Sequence, residues 1–212
     1  MSILEANNIS FGYVSGKNIL EGVNFHIYSE ERVGIVAESG YGKSTFAKIL
    51  SGYLPPKSGK VLLDGKEIKN QGFYPVQLIY QHPEKSINPK WKIKRALSEN
   101  GTPDKKLLEI LGIKDIWLDR YPNELSGGEL QRIAIARAIT KDTKFLIADE
   151  ITAMLDGITQ AQIWHSLISL SNEKNIGMII ITHNIALAKR ICTRIVYLRK
   201  INHASPNDKL YE

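Results

Sequence analysis

The sequence predicts an α/β chain: an N-terminal antiparallel sheet, a parallel sheet flanked by helices, and a mainly helical lobe inserted between parallel strands. Three observations lead there. Residues 3 to about 30 alternate and turn (SFGYVSGKNILEGVNFHIY at 10–28), the pattern of half-buried strands. Five continuous apolar runs follow, RVGIVA (32–37), VQLIYQ (76–81), KFLIAD (144–149), IGMIIIT (176–182) and RIVYL (194–198), and such runs suit parallel strands covered on both faces. Between Pro83 and Asn123 strand character gives way to helical stretches such as DKKLLEILGI.

The elements follow in order. In KVLLDGKEI (60–68) Asp64-Gly65 separates two strand-like runs, a hairpin signal. The run 32–37 ends at Ala37 and leads into ESGYGKST, Glu38 to Thr45. Glycines there let backbone N–H groups turn inward as an anion nest, and the helix that follows adds its positive N-terminal end. Ser39, Gly40, Tyr41, Gly42, Lys43, Ser44 and Thr45 are therefore expected to cradle phosphate, with Ala37 at the first position of the loop. Lys43 is expected to reach the β- and γ-phosphates, and the Ser44 hydroxyl to ligate Mg2+. The alternative is a plain Gly/Ser turn before a helix.

KFLIADE delivers Asp149 and Glu150 at a strand end. Asp149 can hold the Mg2+ shell and Glu150 can orient or deprotonate water, although paired acids also suit an ordinary helix start. In LSGGELQR (125–132), Ser126 and Glu129 have capping-box spacing ahead of a helical LQRIAIARAI. Ser126, Gly127 and Gly128 then sit at a bare helix N-terminus. Alone, this is just a well-capped helix.

Composition sets the frame. With 212 residues, 43% hydrophobic and 24% charged, the chain can bury a sizeable core. No apolar stretch reaches the roughly 18 to 20 residues of a membrane span, and the first residues lack a secretory layout, so a cytosolic chain is expected. The single cysteine, Cys192, has no metal-ligand spacing around it and is expected to be a packing thiol. A net charge of +6 fits nucleic acid, an anionic surface or a nucleotide without choosing among them. The densest basic stretch, Lys90 to Arg95, is either a solvated face or a docking surface.

LSGGELQR, lying 83 residues after Lys43 and 24 before Glu150, resembles the signature sequence of ATP-binding cassette (ABC) proteins. In the order of that family Tyr13 is similar to the aromatic residue that stacks on adenine, and Gln81 to the Q-loop glutamine. Asp156 in AMLD is similar to the D-loop aspartate, and His183 in ITHN to the switch histidine. The resemblance covers nearly the whole chain. It implies a P-loop NTPase (RecA-like) core, one ATPase domain over residues 1–212, and a helical subdomain at about 83–140 within it.

It further implies a head-to-tail dimer that hydrolyses ATP. Tyr13 and the loop from Ser39 to Thr45 bind the nucleotide, Asp156 lies beside it, and Ser126, Gly127 and Gly128 of the other subunit close over the γ-phosphate. Glu150 polarises water, His183 contacts the γ-phosphate, Gln81 senses nucleotide and relays it, and Mg2+ is held by Ser44, Gln81 and Asp149. Glu38, INP (87–89), RYPNELSGGELQR and LDGITQAQI resemble the wording of the oligopeptide, dipeptide and nickel importer group. Departures are Ile151 in place of proline, Met154 in place of alanine, and His82 in place of an acidic residue.

The implied partners are transmembrane permease subunits, a second cassette ATPase in a homo- or heterodimer, and indirectly an extracytoplasmic binding protein. The implied location is the cytoplasmic face of the membrane. The basic stretch Lys90 to Arg95 is expected to line the groove where the permease docks. No nucleic-acid partner is expected, because 83 residues leave no room for the coiled-coil insertion of chromosome-associated members and there is one cassette, not two; basic charge alone supports that alternative. A non-catalytic cassette is a third reading, against which Glu150, His183 and the LSGGE motif are all present. The chain stops soon after its last strand, so no attached regulatory domain is expected.

Overall fold

Alternation builds the first sheet. Strand β1 (Ile3–Phe11) pairs antiparallel with β2 (Leu20–Tyr28), from Ile3 opposite Tyr28 to Phe11 opposite Leu20. Leu4, Ala6 and Ile9 turn inward with Leu20, Val23 and Ile27. The chain then leaves through β3 (Arg32–Val36) for the second sheet and returns with β4 (Ser58–Leu63), antiparallel on the free edge of β1. Asp64 and Gly65, with φ of 53° and 75°, turn β4 into β5 (Lys66–Glu67); both lie in the left-handed region that a two-residue hairpin of this kind requires. The computed structural model describes residues 1–14, 16–68, 72–102 and 104–204. Ser15 in the N-terminal run and residues 205–212 of the expected domain lie outside them.

The second sheet is parallel, with β6 (Val76–Ile79), β7 (Phe145–Asp149), β8 (Gly177–Ile181) and β9 (Arg194–Tyr197) in the order β6-β7-β8-β3-β9. All five expected apolar runs are strands of it. Successive side chains point to opposite faces, and both faces are buried. Phe145 and Ile147 of β7 pack with the antiparallel sheet and with Phe46 and Ile49 of α1 (Lys43–Leu50). Leu146 and Ala148 pack instead with Ile133 of α5 (Gly127–Ala138) and Leu167 of α6 (Gly157–Lys174). The parallel sheet is thus the middle of three layers.

Between β6 and β7 the described chain is helical: α2 (Ile93–Leu97), α3 (Lys105–Ile110), α4 (Asp115–Leu118) and then α5. Helices α7 (Ile185–Ile191) and α8 (Leu198–Ile201) are the last helices among the described residues. Among the described residues no helix is long and apolar enough to cross a membrane. The basic stretch 90–95 is partly neutralised. Lys94 Nζ donates to Asp119 at 2.7 Å, Lys92 Nζ lies 3.9 Å from the same carboxylate, and the Arg95 guanidinium lies over the Trp91 ring.

Candidate functional site

Strand order decides what meets what. In a parallel sheet, ligands bind beyond the carboxyl ends of the strands, and four neighbouring strands end here on the residues singled out in sequence. β6 leads to Gln81, β7 ends at Asp149 and Glu150, β8 leads to His183, and β3 leads through Ala37 into the phosphate loop. The register is tight: Asp149 pairs with Ile181, and Ile181 with Ile35.

The loop closes on α1. Gly40 and Gly42 have φ of 83° and 85°, and Gly42 is the N-cap of α1. A Cβ on Gly42 would lie 2.7 Å from Ile19 Cγ2, so no larger residue fits without displacing β2's approach. The helix start has neither a side-chain cap nor an acid in its first turn, which leaves its N–H groups and positive end for an anion. Lys43 is buried, and its ammonium donates to the carbonyls of Ala37 and Glu38, both at 2.7 Å. Two of its three donors are thus held by the loop, and the third remains for a ligand. Burial lowers the Lys43 pKa, and Glu150, Asp149 and Glu38 pull it back up.

Ser44, Gln81 and Asp149 share the wall of one cavity of about 600 Å3. Burial raises the Asp149 carboxyl; the Ser44 hydroxyl beside it lowers it, and Glu150 raises it further. A partly buried carboxylate, a hydroxyl and an amide are hard oxygen donors of the kind Mg2+ takes, so these residues fit the ion. Glu150 has φ of 51°, an uncommon left-handed position for a non-glycine residue. Its N–H is fixed to the Ile181 carbonyl at 3.0 Å, and its Oε1 lies 3.2 Å from His183 Nδ1. Two of the three expected catalytic side chains, Glu150 and His183, therefore meet, while Gln81 lines the cavity with Asp149. Tyr13 is 60% exposed, braced edge-on by Phe11 at 5.0 Å, its hydroxyl 3.3 Å from Thr45 Oγ1. A free aromatic face beside the loop suits a base.

Ser126, Gly127, Gly128 and Asp156 do not line this cavity. They form a second group. Ser126 Oγ accepts from Glu129 N and Glu129 accepts from Ser126 N, the capping box read in the sequence. Asp156 caps α6 by accepting from Ile158 N and Thr159 N, both at 3.0 Å. The two helix starts touch: a Cβ on Gly128 would lie 2.8 Å from Thr159 Cγ2. Met154 is 67% exposed beside them, whereas Ile151 is buried in the helix-side core.

Lys48, Lys85 and Arg137 bring basic side chains to the wall of this cavity. Lys90 to Arg95 do not line it; Lys92 and Lys94 lie beside Asp119, and Arg95 lies over Trp91. Lys48 was legible one helical turn after Ser44; Arg137 and Tyr53 carried no local signal.

The profile of the ABC transporter family matches residues 20–153. The chain belongs to that family. It is an ATPase of the cassette type, and ATP is its ligand. The cassette is 32% identical over 99% of its length to the oligopeptide transport ATP-binding protein OppF of Bacillus subtilis, of which it spans 77%. It is 31% identical over 93% of its length to the nickel import system ATP-binding protein NikE of Staphylococcus aureus, of which it spans 87%. A dimeric ATP-binding cassette solved in a post-hydrolysis state with ADP and Pi superimposes with a TM-score of 0.79 at 26% identity, covering 92% of this chain and 93% of that one.

Proposed function

We propose that this cassette is the ATP-hydrolysing subunit of an importer for peptide, nickel or a metal chelate. It works on the cytoplasmic face of the membrane, paired with a second cassette and bound to separate permease subunits, with an extracytoplasmic binding protein engaged indirectly. Its likeness to OppF and NikE supports the substrate classes. Residues 1–212 form one ATPase domain, with a helical subdomain at about 83–140.

The observation that carries the mechanism is the division of the motifs into two groups. The first group gathers the residues expected to bind the nucleotide and polarise water around one set of strand ends. The second presents Ser126 at a helix start, the kind of terminus that binds phosphate, away from the first group's cavity. A second cassette, turned head to tail, brings its Ser126 group to this chain's Lys43 loop. Tyr13 stacks on the base, Ser39 to Thr45 hold the phosphates, and Asp156 adjoins the closed site. Ser44, Asp149 and Gln81 would hold Mg2+, which neutralises phosphate charge when bound. Glu150 orients water and takes its proton, and His183, 3.2 Å away, fixes that carboxylate and reaches the γ-phosphate.

The permease docks near the helical lobe and Gln81, with the basic stretch Lys90 to Arg95 lining its groove and Lys48 and Lys85 on the cavity wall beside Gln81. The test is recovery of the tagged chain from mildly solubilised membranes with mass identification of its companions. Two multispanning subunits, alone or with a second cassette, are expected. Ribosomal or DNA-bound companions without a membrane protein would overturn the transport reading and leave the ATP site standing.

A further inference from the structure

Helix α5 has a job at each end. Its first turn presents Ser126 and its last turn carries Arg137, about 16 Å away along the axis at 1.5 Å per residue. Arg137 Nη1 donates to the Ser86 carbonyl at 2.5 Å, and Nη2 donates to the Glu99 carboxylate at the end of the α2 segment. Among the described residues its Nε is buried without an acceptor, and the guanidinium is held by its two forked ends.

Ser86 is tied closely to Gln81. A single helical turn, Pro83–Lys85, joins them, and it is closed by Lys85 N to the His82 carbonyl at 3.1 Å and by Ser86 N and Oγ to the Pro83 carbonyl at 3.0 and 2.8 Å. Arg137 and Gln81 also line the same cavity. A pull on α5 therefore reaches the segment bearing Gln81 through one side chain. The ammonium groups of Lys48 and Lys85, whose residues line the same cavity, make no hydrogen bond among the described residues.

We propose that Arg137 is a positioning residue for Gln81: it clamps the signature helix to the turn after Gln81, so that Ser126, serving the partner's nucleotide, and Gln81, serving this chain's own, move as one body. The inference rests on the roles given to Ser126 and Gln81 above. A lysine cannot replace the clamp, because a point charge has no fork with which to hold a carbonyl and a carboxylate at once.

The test is a double-mutant cycle on the full chain in its ATP-hydrolysing assembly. Arg137→Lys is expected to lower kcat roughly ten- to a hundredfold with little change in KM, the effect of misplacing one catalytic group. In a Gln81→Ala background the same change should add nothing, because the two act in series. Glu99→Gln, a change at a half-exposed partner, should lower kcat in the same sense and supplies a second reading if Arg137→Lys folds poorly. Unchanged kcat in both variants, or losses that multiply with that of Gln81→Ala, would overturn the proposal. A Gln81→Ala variant with full activity would overturn the reading of Gln81 itself, and the clamp with it.

Discussion

The contact between the two helix starts gives a prediction whose size follows from the coordinates. In Gly128→Ala the new Cβ would lie 2.8 Å from Thr159 Cγ2, about 1 Å inside ordinary carbon–carbon contact. Thr159 cannot swing aside cheaply: a β-branched side chain has few rotamers, and its side chain is hydrogen-bonded to the Asp156 carboxylate. The helices must part instead. Overpacking of this kind costs about 1–3 kcal/mol, and at about 2–4 °C per kcal/mol for a chain of this size Tm should fall by roughly 2–12 °C. Thr159→Ser removes the offending methyl and keeps the hydroxyl. Gly128→Ala/Thr159→Ser should therefore recover most of the lost Tm in a thermal unfolding experiment without nucleotide. A double variant no more stable than Gly128→Ala alone would refute the clash as the cause.

Three further outcomes are expected. Glu150→Gln should slow ATP turnover by about 10²- to 10⁴-fold, the usual worth of a positioned base, while ATP binding persists and an ATP-held dimer accumulates on size exclusion; retention of most turnover would unseat Glu150. Burial raises the Asp149 carboxyl, so the folded chain holds that proton more tightly than the unfolded one, and stability falls as pH rises from the ordinary carboxylate range through the raised value. Asp149→Asn should thus raise Tm at neutral pH without nucleotide, have little effect at a pH of about 3, where both states are protonated, and abolish turnover. Burial pushes the Cys192 thiol up to about 11, so iodoacetamide at mildly alkaline pH should label it slowly in the native chain and readily in denaturant.

What could be read from sequence was local. Asp64-Gly65 needs two left-handed residues and nothing else, and the Ser126–Glu129 box is closed within four residues, so both were visible as spacing. The five parallel strands declared themselves through unbroken apolar runs, and the order of the motifs then named the family. The strand order was not legible, since β3 sits between β8 and β9 because of pairings such as Arg32 with Met178 and Val33 with Arg194, far apart in the chain. The same holds for charge. Lys92 and Lys94 looked free until Asp119 met them, and Arg137 looked like one more basic residue of a helix until its fork reached Ser86 and Glu99.

The left-handed backbone at Glu150 sets stability against chemistry. Outside glycine that conformation costs roughly 1–2 kcal/mol, and the bond from Glu150 N to the Ile181 carbonyl keeps the residue there whatever its side chain. Glycine at this position would relieve the strain and remove the base in the same step. Screens that reward heat resistance alone should therefore drift toward inactive chains at this site, and the carboxylate persists only where turnover itself is selected.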